Sequence, residues 1–138
     1  MSVKNKINSI NLWLKKNTSI DTHILSIKKF ETGQSNPTFL LNSDNRSFVL
    51  RSKPLGNLLR GAHRIDREYK VMKALSNSQI PIPKMYGYCN DMDIIGTEFY
   101  VMEFLNGAHE FDPDLPNYTS EQRDKIYKHK IKILAELV

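Results

Sequence analysis

The chain has little of the residues that mark several classes of protein. It holds one cysteine, Cys89, which rules out an internal disulfide and suits a reducing compartment such as the cytoplasm. Glycine and proline number six each, too few for a fibrous or low-complexity protein. No run of about 18 apolar residues occurs, so no membrane-spanning helix is expected. With 138 residues, 40% of them hydrophobic, the chain is predicted to form one globular unit with a modest core and no membrane association.

The charge of the chain leaves its partner open. Lysine and arginine number 20 against 15 acidic residues, which gives a net charge of +5. Such an excess fits nucleic acid, an anionic surface or an anionic small ligand. The lysines are scattered and show no aromatic–basic interleaving, so we expect no nucleic acid as partner. A basic RNA-binding domain stays as an alternative, and it predicts binding that weakens steeply with salt.

Hydrophobic spacing predicts three helices and five strands, with the first three strands in an antiparallel meander. Helical periods and period-two alternation divide the chain into short elements separated by turn residues. The predicted helices are 2–16, 64–75 and one that begins after Thr119, and the predicted strands are 22–30, 38–41, 48–51, 84–90 and 97–105.

The last predicted helix is amphipathic up to the end of the sequence. Thr119 and Gln122 fit a capping box at its start. Its apolar residues recur at helical spacing and are predicted to be buried; they are Tyr127, Ile131, Leu134 and Val138. Because the apolar stripe still runs at Val138 without a capping residue, we expect its partner to be a further lobe or another chain.

Glu68 is the most informative single residue. Helical spacing places it on the same stripe as Ile65, where a carboxylate is costly to bury without a cation. One interpretation is a weak pair with Arg64, four residues earlier. The other is a pair with Arg51 from the third strand, whose guanidinium would then be held against phosphate oxygens.

The turn Gly33-Gln34-Ser35-Asn36 lies between two predicted strands. That placement argues against a P-loop or a dinucleotide-binding fingerprint, since both need a helix after the glycine turn. A strand–turn–strand loop can still cover phosphates with backbone N–H groups and small side chains. The four histidines are far apart and show no metal-ligand spacing.

Several separated segments, taken in order, resemble a known family. The segments GQSNPTFLL, FVLRSKPLGNLLRGAH, IDREYKVMKAL, IPIPKMYGYCND and IGTEFYVMEFLNG are similar to the amino-terminal lobe of the aminoglycoside phosphotransferase family, which has a protein-kinase-like fold. The resemblance is greatest to the kinase-like domain at the front of acyl-CoA dehydrogenase family members ten and eleven. It covers about residue 10 to Val138, and it implies an α+β fold in which the five strands form one antiparallel sheet with one packed helix.

The resemblance implies ATP and Mg²⁺ as cofactors. It implies that the turn from Gly33 to Asn36 covers the phosphates, that Arg51 contacts them, and that Glu68 is the ion-pair partner of Arg51. It further implies that the backbone of Glu103 and Leu105 hydrogen-bonds the adenine ring. Many kinases have lysine where this chain has Arg51, which keeps the charge and changes the geometry.

The resemblance also implies how the chain is organised. Residues 1–20 would be an amino-terminal amphipathic helix, 21–106 the nucleotide-binding lobe, and 107–138 a linker with the first helix of a carboxy-terminal lobe. The family's His-Gly-Asp loop and metal-binding aspartate are expected beyond Val138, so we expect the chain alone to be inactive.

The function implied is phosphoryl transfer from ATP to a hydroxyl group of a small metabolite. An acyl-CoA-type and an aminoglycoside-like acceptor are both compatible with the sequence. The alternative is a non-catalytic nucleotide-binding or regulatory module that docks a partner chain through its last helix.

Overall fold

The computed structural model describes residues 3–31, 35–56, 61–108 and 110–138. After a 3-10 turn at Val3–Lys6, the described elements alternate between helices and short strands. In chain order they are α1 (Ile7–Asn17), β1 (Ser26–Lys29), β2 (Thr38–Asn42), β3 (Ser47–Ser52), α2 (Ile65–Leu75), β4 (Met85–Cys89), α3 (Met92–Ile95), β5 (Phe99–Glu103) and α4 (Ser120–Glu136).

The five strands form one antiparallel sheet in the order β1-β2-β3-β5-β4. The predicted α+β fold with five antiparallel strands is therefore confirmed. The register places Thr38 of β2 opposite Arg51 of β3, and Arg51 opposite Tyr100 of β5. Since opposite residues of paired strands lie on the same face of a sheet, these three side chains form a row across it.

One face of the sheet packs on α1 and forms the main core. Phe48, Leu50 and Phe99 point to this face and are almost completely buried. The rings of Trp13 and Phe99 meet edge to face, with centroids 4.8 Å apart, a favourable geometry for two aromatic quadrupoles. Burial of one stripe of α1 explains why its apolar residues recur every three or four positions.

The opposite face of the sheet carries α2. Ile65, at the first position of this helix, is completely buried. One turn later, the Tyr69 ring stacks on Tyr88 of β4 at 5.6 Å and lies 6.0 Å from Tyr100. These contacts hold α2 over the sheet, so the inner strand β5 is covered on both faces, as its continuous apolar sequence predicts.

Helix α4 has the predicted apolar stripe, and the described residues do not cover it. The capping box is present, because the Thr119 side chain accepts from the Gln122 N–H and the Gln122 side chain accepts from the Thr119 N–H. The apolar stripe, however, is exposed: Tyr127, Ile131, Leu134 and Val138. Spacing along a helix identifies an apolar face, but it does not identify what covers that face.

Two local predictions also differ from the structure. The segment around Asp91, where no helix was predicted, forms a short helix, because the Asp91 side chain accepts from the Asp93 N–H and caps it. Strand β1 is shorter than predicted, because the Ile24 N–H is bound by the side chain of Asn11 instead of by a neighbouring strand. None of the helices in the described ranges is long and apolar enough to cross a membrane.

Candidate functional site

Arg51 and Glu68 form an ion pair between the sheet and α2. The Arg51 Nε donates to Glu68 Oε2 at 2.9 Å. Alternation along β3 explains the position of Arg51, since its neighbours Leu50 and Ser52 are buried in the opposite face. The two side chains are 25% and 36% exposed, so the pair is partly shielded from water and still reachable from the surface.

Arg64 takes another partner. Its Nε and Nη2 each donate to a carboxylate oxygen of Asp66 at 2.8 Å. Hydrogen bonding to the Arg64 guanidinium holds the pKa of the Asp66 carboxyl well below its usual range. Of the two interpretations of Glu68, the structure therefore shows the pair with Arg51.

Two further donors complete the surroundings of the Glu68 carboxylate. The Tyr100 hydroxyl donates to Oε2 at 3.0 Å, and Asn36 Nδ2 donates to Oε1 at 2.9 Å. Burial raises the pKa of Tyr100 well above its ordinary value, and the negative charge of Glu68 raises it further. Tyr100 is thus a neutral hydroxyl donor at physiological pH.

Arg51 also reaches two groups at the start of β2. Its Nη1 donates to Thr38 Oγ1 at 3.0 Å and lies 3.5 Å from the Asn36 carbonyl oxygen. The guanidinium is therefore held by β2, β5 and α2 together, through Glu68 and its partners. A planar group fixed in this way can present its remaining donors in a defined direction.

Beside the ion pair lies a cleft of about 590 Å³ between α2 and the sheet. Its polar wall holds three guanidinium groups and one carboxylate, and its other wall is largely apolar. The lining residues are Arg51, Arg64, Arg67, Glu68, Val71, Met72, Pro83, Tyr100 and Met102. A cleft with this lining suits an anionic ligand that also carries an apolar part.

The predicted adenine contacts lie farther along β5. Glu103 is three residues beyond Tyr100, roughly 10 Å along an extended strand. Its N–H donates to the Lys84 carbonyl at 2.8 Å, and its side chain accepts from the Lys84 N–H at 3.1 Å. Leu105 is exposed just after the strand. A contact from the Glu103 backbone to a ligand would therefore use its carbonyl oxygen.

Half of the predicted phosphate turn can be located. Gly33 and Gln34 lie outside the described residues, whereas Ser35 is exposed and Asn36 is buried. The Asn36 side chain does not face outward, because its Nδ2 donates to Glu68 Oε1.

Three residues of this site were not predicted from the sequence. They are Thr38, Tyr100 and His63, whose Nδ1 lies 2.9 Å from Asn36 Oδ1. The strand register, which the sequence does not give, brings the first two beside Arg51. Histidine spacing along the chain gave no signal for the third.

Comparisons with known proteins identify relatives of the chain. Residues 26–138 match the profile of the phosphotransferase enzyme family. The chain is 47% identical over 116 residues to "Probable acyl-CoA dehydrogenase IBR3" of Arabidopsis thaliana and 46% identical over 113 residues to "Acyl-CoA dehydrogenase family member 11" of Homo sapiens. These matches cover 80% and 82% of the chain, but only 14% of each relative.

The fold matches a solved structure as well. A crystal structure of a protein assigned as an aminoglycoside phosphotransferase, from Ralstonia eutropha jmp134, superposes with a TM-score of 0.79 at 35% identity. The superposition covers 94% of this chain and 36% of that one. The sheet with its packed helix is therefore a kinase-like fold, and the resemblance drawn from the sequence is confirmed. The chain belongs to the phosphotransferase enzyme family.

Proposed function

We propose that the chain is the nucleotide-binding part of an ATP-dependent phosphotransferase that phosphorylates a hydroxyl group. The observation that carries the proposal is the Arg51–Glu68 ion pair at the wall of the cleft. A guanidinium oriented by a carboxylate and left partly exposed is suited to bind phosphate oxygens. Family membership supplies the reaction class.

Each part of the nucleotide has a proposed contact. Arg51 uses Nε and Nη1 inside the lobe, so we assign its Nη2 to the phosphates. The turn from Gly33 to Asn36 would cover them with backbone N–H groups. The Glu103 carbonyl and the Leu105 N–H would bind the adenine edge. This arrangement lays the nucleotide along β5, with its phosphates toward Tyr100.

ATP would supply the phosphoryl group, and Mg²⁺ would neutralise its charge during transfer. In the described part of the chain, no three His, Cys, Asp or Glu side chains lie close enough together to hold a metal ion. The 138 residues also contain no His-Gly-Asp sequence. We therefore propose that this chain alone binds the nucleotide without transferring phosphate.

The phosphoryl acceptor is the second substrate of the proposed reaction. The names of the relatives make an acyl-CoA-type or an aminoglycoside-like hydroxyl compound the first candidates. We propose the cytoplasm as the compartment of the protein, because a single cysteine suits a reducing environment.

The test is a thermal-shift titration of the chain with ATP and Mg²⁺. The unfolding temperature should rise with ligand concentration, because ligand that binds only the folded state stabilises it by about 2.7 kcal/mol at 100 times its Kd. Arg51→Ala should lose most of this rise. AMP, which lacks the β- and γ-phosphates, should stabilise both proteins to the same small extent.

Arg46→Ala is the matched control. Arg46 is exposed in the turn between β2 and β3, so this change removes the same charge without touching the cleft. If Arg46→Ala and Arg51→Ala reduce the ATP response equally, general electrostatic attraction explains the binding and Arg51 has no specific role.

A second candidate function, a regulatory module without catalysis, is favoured by the exposed apolar stripe of α4. It predicts nucleotide binding through the same cleft and docking of another chain on α4. Phosphoryl transfer that begins when a partner protein is added would contradict it, whereas binding of that partner without transfer would support it.

A further inference from the structure

Asn36 connects the two sides of the candidate nucleotide site. It is 3% exposed, and its side chain lies between His63, just before α2, and Glu68, within α2. We propose that Asn36 and His63 are positioning residues, which fix the Glu68 carboxylate and thereby the Arg51 guanidinium. The consequence for ATP rests on the function proposed above, while the effect on Arg51 itself does not.

The hydrogen positions follow from the chemistry of the groups. An ionised carboxylate only accepts hydrogen bonds, so Asn36 must present its NH₂ group to Glu68 Oε1. The Asn36 carbonyl oxygen then faces His63, and Nδ1 of that ring must carry a hydrogen. The order of donation is therefore from His63 to Asn36 to Glu68.

This order of donation decides how freely the carboxylate can turn. Oε2 of Glu68 accepts from Arg51 and Tyr100, while Oε1 accepts from Asn36. The last torsion of a glutamate side chain is soft, so an anchor on Oε1 is what prevents rotation of the carboxylate plane. If Asn36 were released, Oε1 could turn toward water and the Arg51 Nε would lose its fixed acceptor.

The backbone of His63 supports a specific role for its side chain. Its φ is 55°, in the left-handed region that is strained for a residue other than glycine. Its carbonyl accepts from the Ile65 N–H at 2.9 Å, at the start of α2. A glycine would adopt this conformation without strain, so histidine here is explained by its ring contact with Asn36.

The test uses a matched pair of substitutions, His63→Asn and His63→Gly. Asparagine tolerates a left-handed φ and places an amide nitrogen where the His63 Nδ1 lies, so it retains the donor. Glycine tolerates the same φ and has no donor. Both variants should fold, and a thermal melt checks this. If only the fold matters, the two variants should behave alike.

The primary readout is the ¹⁵N–¹H NMR signal of the Arg51 Nε–H, assigned by its absence in Arg51→Lys. Without nucleotide, this signal should stay in place in His63→Asn and should shift and broaden in His63→Gly. The Kd for ATP should be within about twofold of the unchanged protein in His63→Asn and weaker by about tenfold in His63→Gly, as expected for loss of one hydrogen bond.

A second variant tests the other half of the connection. Asn36→Asp keeps the acceptor for His63, but it sets a carboxylate against Glu68 Oε1 where an NH₂ group lay at 2.9 Å. The Arg51 signal should change in this variant as well. An Arg51 signal that is unchanged in His63→Gly overturns the inference for His63, and one that is unchanged in Asn36→Asp overturns it for Asn36.

The outcomes separate this inference from the proposed function. If the Arg51 signal moves in His63→Gly while neither this variant nor Arg51→Ala alters ATP binding, the positioning role stands and the nucleotide site is wrong. If Arg51→Ala abolishes ATP binding while His63→Gly leaves both readouts unchanged, the nucleotide site stands and the positioning role is wrong.

Discussion

Replacement of Glu68 by alanine should destabilise the fold strongly, because it removes the shared acceptor of three donors. Two of these donors, the Tyr100 hydroxyl and the Asn36 amide, belong to residues that are at most 3% exposed. A buried donor that loses its partner costs roughly 1–3 kcal/mol. The Arg51 side chain is 25% exposed and can turn to water, so its contribution to the loss of stability is small.

The free energy of unfolding should therefore fall by about 2–4 kcal/mol. This is less than the sum of the upper limits for the two buried donors, because water can enter the space that the Glu68 side chain leaves. Domains of this size are stable by about 5–15 kcal/mol, so the variant should still fold. With a urea dependence of about 2 kcal/mol per molar, the unfolding midpoint should fall by roughly 1–2 M. Fluorescence of Trp13, the only tryptophan, reports the transition from within the core.

Two further variants show whether this reasoning is correct. Glu121→Ala removes an exposed carboxylate that pairs with Lys125 at 2.8 Å, and it should move the midpoint little. Tyr100→Phe removes one donor and should cost about 1 kcal/mol. Combined with Glu68→Ala, it should cost less than the sum of the two, because both changes break the same contact. A Glu68→Ala midpoint close to that of Glu121→Ala would refute the network as a source of stability.

Two other predictions concern the sheet beyond the site. Gly87→Ala should cost about 1–3 kcal/mol in urea unfolding, because the new methyl group would lie 3.1 Å from the Trp13 ring, whereas Gly107→Ala, with nothing within 4 Å, should have little effect. Burial first, and then a hydrogen bond to Glu98, raise the pKa of Tyr88 to about 12. The stability that protonated Tyr88 contributes is therefore fully present below about pH 10, the ordinary pKa of tyrosine, and is lost as the pH rises through 12. Absorbance of tyrosinate against pH should lose one late-titrating group in Tyr88→Phe, while Tyr100, whose pKa is also raised, still titrates late. A titration unchanged by that substitution would contradict the assignment.

The local pattern of the sequence predicted most of the elements, since helix and strand periods are properties of neighbouring residues. Strand β5 is Phe99–Glu103 where 97–105 was predicted, and α2 is Ile65–Leu75 where 64–75 was predicted. The ion pair was predicted because a glutamate on an apolar stripe needs a cation, and one nearby strand ended in arginine.

The remaining features depend on contacts between distant residues. Tyr100 and Thr38 flank Arg51 through strand register, and one residue of slippage would have turned each to the other face. His63 meets Asn36 across 27 residues of sequence, through a loop whose path no periodicity describes. The stripe on α4 shows the opposite case, in which the period correctly predicts an apolar face and the described residues do not cover it.

Arginine suits position 51 because this side chain must form hydrogen bonds in several directions at once. Its Nε is engaged by Glu68 of α2 and its Nη1 by Thr38 of β2, so two of its three nitrogens orient the group. A lysine has one nitrogen, which would have to serve the carboxylate and a phosphate from the same point. In this chain, one nitrogen can face the cleft while the other two hold the guanidinium plane. A network that fixes that plane, with Asn36 and Tyr100 on the same carboxylate, is useful for an arginine and would be of little use to a lysine, whose ammonium group has no plane to fix.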